Sequence, residues 1–145
     1  MNHYDFKDCY LGMTAEFEIE ISDDKIRMFR DITGDENPLH NDNAFARAHG
    51  YRGKVSFGLL TSSFASKLAG VFIPGELSLI HEVLFKYTKP VYAGDCLAVL
   101  GEVIEMDERT EQLTLKVRIR RTGDGEIVSR GRMIIGFLGV SNENT

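Results

Sequence analysis

Gly58-Leu59-Leu60-Thr61-Ser62-Ser63-Phe64-Ala65-Ser66-Lys67-Leu68-Ala69-Gly70 is the stretch whose reading decides the fold. Leu60, Phe64 and Leu68 recur at i, i+4 and i+8, the spacing of one helix face, and Gly70 stands where a helix commonly stops. Leu59, Ala65 and Ala69 widen the apolar surface beyond a single stripe, and Lys67 is the lone charge. A helix so poor in charge is a buried one. Beyond Pro74-Gly75 the pattern changes to strands, read over Ser78 to Tyr87, Cys96 to Met106, Leu113 to Arg121 and Ile127 to Leu138. Asp107-Glu108-Arg109 and Gly123-Asp124-Gly125 supply the turns. A long buried helix followed by consecutive antiparallel strands gives an α+β class, with the helix packed on one face of the sheet. The last strand carries Met133, Ile134, Ile135, Phe137 and Leu138, so the sheet is expected to be buried and this terminal strand to need a covered edge.

Upstream of the helix, Thr14 to Ile21 alternates Glu16, Glu18 and Glu20 with Phe17, Ile19 and Ile21, the signature of a half-buried strand. Ser22 caps a helix with Asp23 and Asp24 in its first turn and Ile26, Phe29 and Ile32 turned inward, and Gly34 ends it. Asp35 and His40 then lie five residues apart across Gly34 and Pro38. On a helix that spacing is about 500°, which would point the two side chains apart. Pro38 pushes Asn37 toward extended geometry, so 35–40 is expected as an irregular loop on which carboxylate and imidazole converge. Asp and Asn after Gly are also ordinary turn formers. The distinguishing point is chemical: groups titrating at about 4 and about 6.5 can together remove and deliver a proton near neutral pH. Asn43 to His49 reads as a short helix or turn.

Composition bounds the rest. The 145 residues are a one-domain length, assigned here as a single unit over 1–145. Hydrophobic content of 43% and charged content of 27% are globular values, and no apolar run reaches the roughly 20 residues of a membrane span. Asp5, Lys7 and Asp8 break any secretory core near the start, so the expected location is cytoplasmic. Cys9 and Cys96 form neither a Cys-x-x-Cys pair nor a framework and read as reduced structural thiols. A net charge of −5 disfavours a broad nucleic-acid surface. His40, Asn41, Asp42 and Asp35 do not make a three-ligand metal set, so no metal is expected. His49 and His81 lack acidic partners at informative spacing, His3 lies in a frayable terminus, and Arg118, Arg120 and Arg121 are read as blunting a strand edge or attracting an acidic carrier protein.

The run Phe29-Arg30-Asp31-Ile32-Thr33-Gly34-Asp35-Glu36-Asn37-Pro38-Leu39-His40, with Ala46 beyond it, closely resembles the hydratase 2 motif of MaoC-like (R)-specific enoyl-CoA hydratases and dehydratases. The resemblance extends from Phe6-Lys7-Asp8 and Gly12, through Gly53-Lys54-Val55 and Gly58, to Tyr87-Thr88-Lys89-Pro90-Val91-Tyr92-Ala93-Gly94-Asp95, covering roughly residues 6–138. It implies a hot dog fold, a curved antiparallel sheet wrapped around a long central helix, and pairing of two protomers into a homodimer or higher oligomer. It implies Asp35 and His40 as the acid–base pair holding one water, with base and acid roles left undivided because coupled titrations belong to the pair. The backbone N–H of Gly58, eighteen residues after His40, is the implied thioester oxyanion donor. Many relatives carry His-Gly-Met where this chain has Phe57-Gly58-Leu59, so the polar neighbour is lost and the backbone donor kept.

Supporting positions are Asn37, which shapes the loop, and Ser63 and Ser66 on the central helix, whose serines can equally bond the carbonyl one turn back. The implied activity is hydration of trans-2-enoyl-CoA to (R)-3-hydroxyacyl-CoA or the reverse, with coenzyme A or phosphopantetheine entering as part of the substrate and no separate cofactor. An acyl-carrier-protein dehydratase is the near alternative. A thioesterase on the same fold normally needs a carboxylate on the central helix, and Gly58 to Gly70 has none. A non-catalytic acyl-thioester binding module would have no use for the Asp35 and His40 pair.

Overall fold

Five antiparallel strands carry the architecture: β1 (Thr14–Glu20), β2 (Ser78–Tyr87), β3 (Cys96–Asp107), β4 (Gln112–Arg121) and β5 (Ile127–Phe137), in the spatial order β1-β3-β4-β5-β2. The structure is a computed structural model describing residues 1–139; residues 140–145, which the sequence reading placed in the same unit, lie outside the described residues. Alternation along β4 buries Leu113, Leu115, Val117 and Ile119 and leaves Lys116, Arg118 and Arg120 on the outer face. Register aligns these with the buried side chains of the neighbouring strands, so that Val103, Leu115 and Met133 form one row of the core. Cys9 joins this core, where burial first, and Asp8 and Asp5 after it, push its thiol up to about 11. It stays a protonated, packing thiol at neutral pH.

The helices α1 (Asp23–Thr33), α2 (Pro38–Asn41), α3 (Asn43–Ala48), α4 (Gly58–Ser63) and α5 (Ala65–Lys67) come between β1 and β2, and α5 runs into a wide turn, Leu68–Phe72. The central helix is therefore present but not continuous to a stop at Gly70. It loosens at Phe64, where the Ser62 and Ser63 hydroxyls donate to the carbonyls of Leu59 (3.3 Å) and Leu60 (2.6 Å) and compete with backbone amides. Gly70 sits inside the wide turn, which closes when the Ile73 N–H reaches the Leu68 carbonyl at 3.0 Å. Tertiary anchors override the local stop signal: Leu68 is fully buried, and the Phe72 ring stacks on Phe17 at 5.4 Å. Gly101 on β3 permits this close approach, since a Cβ there would lie 2.6 Å from Leu68 Cδ2.

Other expectations need correction. Ile26 and Phe29 of α1 pack against the core, but Ile32 is 81% exposed, being on the far side of the last turn. Leu59 is likewise exposed. Strand β5 ends at Phe137, with Leu138 exposed, and it lies inside the sheet between β4 and β2. The edges are β1 and β2. Arg118 and Arg120 therefore do not blunt an edge. Arg118 faces Arg130 across β4 and β5, and Arg120 reaches Glu16 at 3.3 Å. The stretch around His3 is tied down, because Asn2 and Tyr4 donate backbone hydrogen bonds to Val71 and Pro74. Among the described residues no helix is long and apolar enough to cross a membrane.

Candidate active site

Gly34 closes α1 in the left-handed region (φ 71°), its N–H bonded to the Arg30 carbonyl at 2.7 Å. The chain then folds back on its own side chains. The Thr33 hydroxyl accepts the Asp35 N–H at 3.2 Å, and Asp35 Oδ1 accepts the Asn37 N–H at 3.0 Å. Asn37 caps α2 through Oδ1, which takes the Leu39 N–H at 3.0 Å. The irregular loop expected over 35–40 thus stops at Asn37, and His40 stands on a turn of helix. Proline is favoured at the first helical position, where its missing N–H costs nothing, and its fixed φ starts the turn.

His40 is held from two sides. Its Nδ1 lies 2.7 Å from the Val55 carbonyl, and its ring packs against Phe57 at a 35° tilt with centroids 4.3 Å apart. A carbonyl only accepts, so Nδ1 carries the proton and Nε2 is left free. The Val55 N–H returns a bond to the Leu39 carbonyl at 3.0 Å, and the Ser56 N–H reaches Val91 at 2.7 Å, locking α2 to the segment that leads into α4. The neighbouring polar side chains are spent on structure: Asn41 bonds Asn37 and Arg30, and Asp42 caps α3.

His40 and Gly58 line one cleft of about 300 Å³, together with Ser56, Thr61, Tyr87 and Lys89. Gly58 opens α4, and a first-turn amide has no acceptor within its own helix. The space its Cβ would fill belongs to the Tyr87 ring, whose carbons lie 3.1 to 3.4 Å from that position. The glycine is needed for this aromatic contact from β2. Asp35 is exposed and does not line the cleft of the single chain. Ser63 is bonded back to Leu60, and Ser66 is exposed and outside the cleft wall. Ser62 instead meets the Tyr87 hydroxyl at 2.8 Å. Arg121, read from sequence as an edge charge, anchors the cleft's far wall by donating to the Pro90 carbonyl (2.8 Å) and Asp95 Oδ2 (3.1 Å).

A family model described as MaoC like domain matches residues 10–124 of this chain. The chain belongs to the MaoC-like family. It is 25% identical over 133 residues to the (R)-specific enoyl-CoA hydratase of Rhodospirillum rubrum, covering 92% of this chain and 90% of that one. It is 32% identical over 101 residues to the 3-hydroxybutyryl-CoA dehydratase of Methylorubrum extorquens, a match spanning 70% of this chain and 64% of that relative's length. Among solved structures, the (R)-hydratase from A. caviae superposes with a TM-score of 0.85 at 27% identity, covering 90% of this chain and 98% of that one. The MaoC-like chain described here has the hot dog fold of those hydratases.

Of the cleft's lining residues, only His40 and Gly58 were singled out as site residues from sequence; the polar side chains of Ser56, Thr61 and Tyr87 were not. Ser56 and Thr61 look like any hydroxyls near a helix start, and Tyr87 like the inward end of a strand. Only long-range packing brings them to His40.

Proposed function

We propose that this MaoC-like protein adds water across the double bond of a trans-2-enoyl thioester of coenzyme A to give the (R)-3-hydroxy product, or catalyses the reverse. The observation that carries the reading is that His40, with Nδ1 engaged by the Val55 carbonyl and Nε2 without a hydrogen-bond partner among the described residues, lines one cleft together with Gly58, the residue that opens α4. Hydration puts a hydroxyl on C3 and a proton on C2, with negative charge growing on the thioester oxygen between. Asp35 and His40 act as the acid–base pair, and the Gly58 N–H receives the oxygen. Asn37 supports the pair by shaping its turn. The reaction is redox-neutral, so the proposal needs no cofactor beyond the coenzyme A of the substrate itself. The names of the relatives favour coenzyme A thioesters and the (R) hand.

The test is hydration of crotonyl-CoA and a longer enoyl-CoA, followed by loss of the enoyl-thioester absorbance and chiral analysis of the product. An (R)-3-hydroxyacyl-CoA is expected. An (S) product, or release of free coenzyme A without hydration, would end the proposal, and the same substrates on a carrier protein decide between the two thioester classes.

The active form proposed is at least a homodimer. Strand β2 pairs with β5 on one side only, and Leu79, Ile80, Val83, Leu84 and Tyr87 along it are 38% to 48% exposed. An unpaired edge of that character is a template for a second strand. Light scattering at micromolar concentration should return a dimer or larger, whereas a fully active monomer would overturn the claim.

A further inference from the structure

Three buried side-chain hydroxyls lack a hydrogen-bond partner among the described residues, and two of them, Ser56 and Thr61, line the cleft beside His40 and Gly58. Both residues are almost wholly buried, at 3% and 2% exposure. A buried hydroxyl without a partner carries its full desolvation penalty. A helical Thr or Ser ordinarily escapes it by donating to a carbonyl one turn back. Ser62 and Ser63, next along α4, do so; Thr61 does not. Two such groups in one wall need a partner that the described residues do not supply, and a ligand in the cleft can supply it.

We infer that the Ser56 and Thr61 hydroxyls bind the reacting end of the substrate. The inference rests on the hydratase reading above and deepens it. Thr61 follows Gly58 by one helical turn, and both face the cleft, so its hydroxyl donates to the thioester oxygen as a second donor beside the Gly58 N–H. Ser56 lines the same cleft as His40, so its hydroxyl is assigned to the water that enters it. Neither hydroxyl gains or loses a proton over the reaction. The water oxygen bonds to C3, its proton goes to the acid–base pair, and C2 takes a proton from that pair. The two groups hold and orient.

The variants Thr61→Val, Thr61→Ser and Ser56→Ala test this through crotonyl-CoA hydration, calorimetric binding of unreactive butyryl-CoA, and melting temperature. Thr61→Val keeps the shape and removes the hydroxyl. Its kcat should fall about 10- to 100-fold, the lower range for one oxyanion donor. Its melting temperature should hold or rise, because an unsatisfied group has gone. Thr61→Ser should restore most of the rate, and Ser56→Ala should lower kcat with no loss of melting temperature. If Thr61→Val does not fold, Thr61→Ala carries the same kinetic expectation. Parental turnover in both Thr61→Val and Ser56→Ala, or a rate loss that only follows a lowered melting temperature, overturns the inference. A parent protein that binds butyryl-CoA without hydrating crotonyl-CoA refutes the hydratase reading alone. Binding about 10-fold weaker in Thr61→Val then upholds the hydroxyl assignment, and equal binding refutes it.

Discussion

Asp35→Asn and His40→Ala should each lower kcat by about 10² or more, the usual scale for an acid–base group. Asp35→Asn is the cleaner of the two. Asp35 uses Oδ1 to accept the Asn37 N–H, and an Asn side chain offers the same acceptor, so the turn before α2 is retained while the carboxylate is lost. A rate loss in this variant therefore reports chemistry. His40→Ala removes more, since the imidazole also ties α2 to Val55 and packs against Phe57. Its melting temperature has to be read beside its rate. The double variant should be little worse than the worse single one, because groups that act as a unit are not additive. A folded single variant with near-parental kcat removes that residue from the mechanism.

Gly58→Val should lower kcat by about 10² to 10³, the range associated with losing one oxyanion donor. The amide survives the substitution, so the loss arises from displacement. A single Cβ at Gly58 already comes within 3.1 Å of the Tyr87 ring, and the branched side chain must drive that ring away from α4 or move the helix start. Either shift disturbs the cleft that Gly58, Thr61 and His40 line together. Substrate binding should weaken less than kcat falls, because contacts to the remote acyl and coenzyme portions are untouched. Adding Tyr87→Ala separates the causes: partial recovery identifies the ring clash, and no recovery identifies a shifted helix start. Parental turnover by a folded Gly58→Val places the oxyanion donor elsewhere.

Sequence alone yielded what local chemistry dictates. The Ser22 cap, the Gly34 stop and the alternation of β1 all stand in the structure because each depends on residues a few positions apart. The strand bounds differ by a residue or so, within the fraying of any element end. What failed depended on distant partners. The apolar β5 read as a terminal edge because sequence order does not give spatial order, whereas β2, with its Lys86, Glu82 and His81, did not look like the uncovered strand. Gly70 read as a stop because the pull of Phe17 on Phe72 is invisible locally. Asn37-Pro38 was read as a loop although the same dipeptide makes a cap followed by a first helical residue. In the cleft, His40 and Gly58 were legible from the resemblance; Asp35, named by the same motif, is exposed and does not line the cleft of the single chain, and Asn37 was legible from turn chemistry. Among the central serines the sequence favoured Ser63 and Ser66, while the unsatisfied hydroxyls are Ser56 and Thr61. Satisfaction is a property of neighbours in space.

The bond from His40 Nδ1 to the Val55 carbonyl limits how far the imidazole would have to rearrange in the proposed turnover. Since the carbonyl can never donate, Nδ1 remains protonated whether the ring is neutral or cationic, and the bond persists, strengthened, in the charged form. In the proposed cycle, whatever share of the pair's proton traffic His40 carries would pass through a single nitrogen, Nε2. No ring flip separates the two halves, so hydration and dehydration pass through one side-chain rotamer, and the imidazole adds no conformational step of its own to the barrier in either direction.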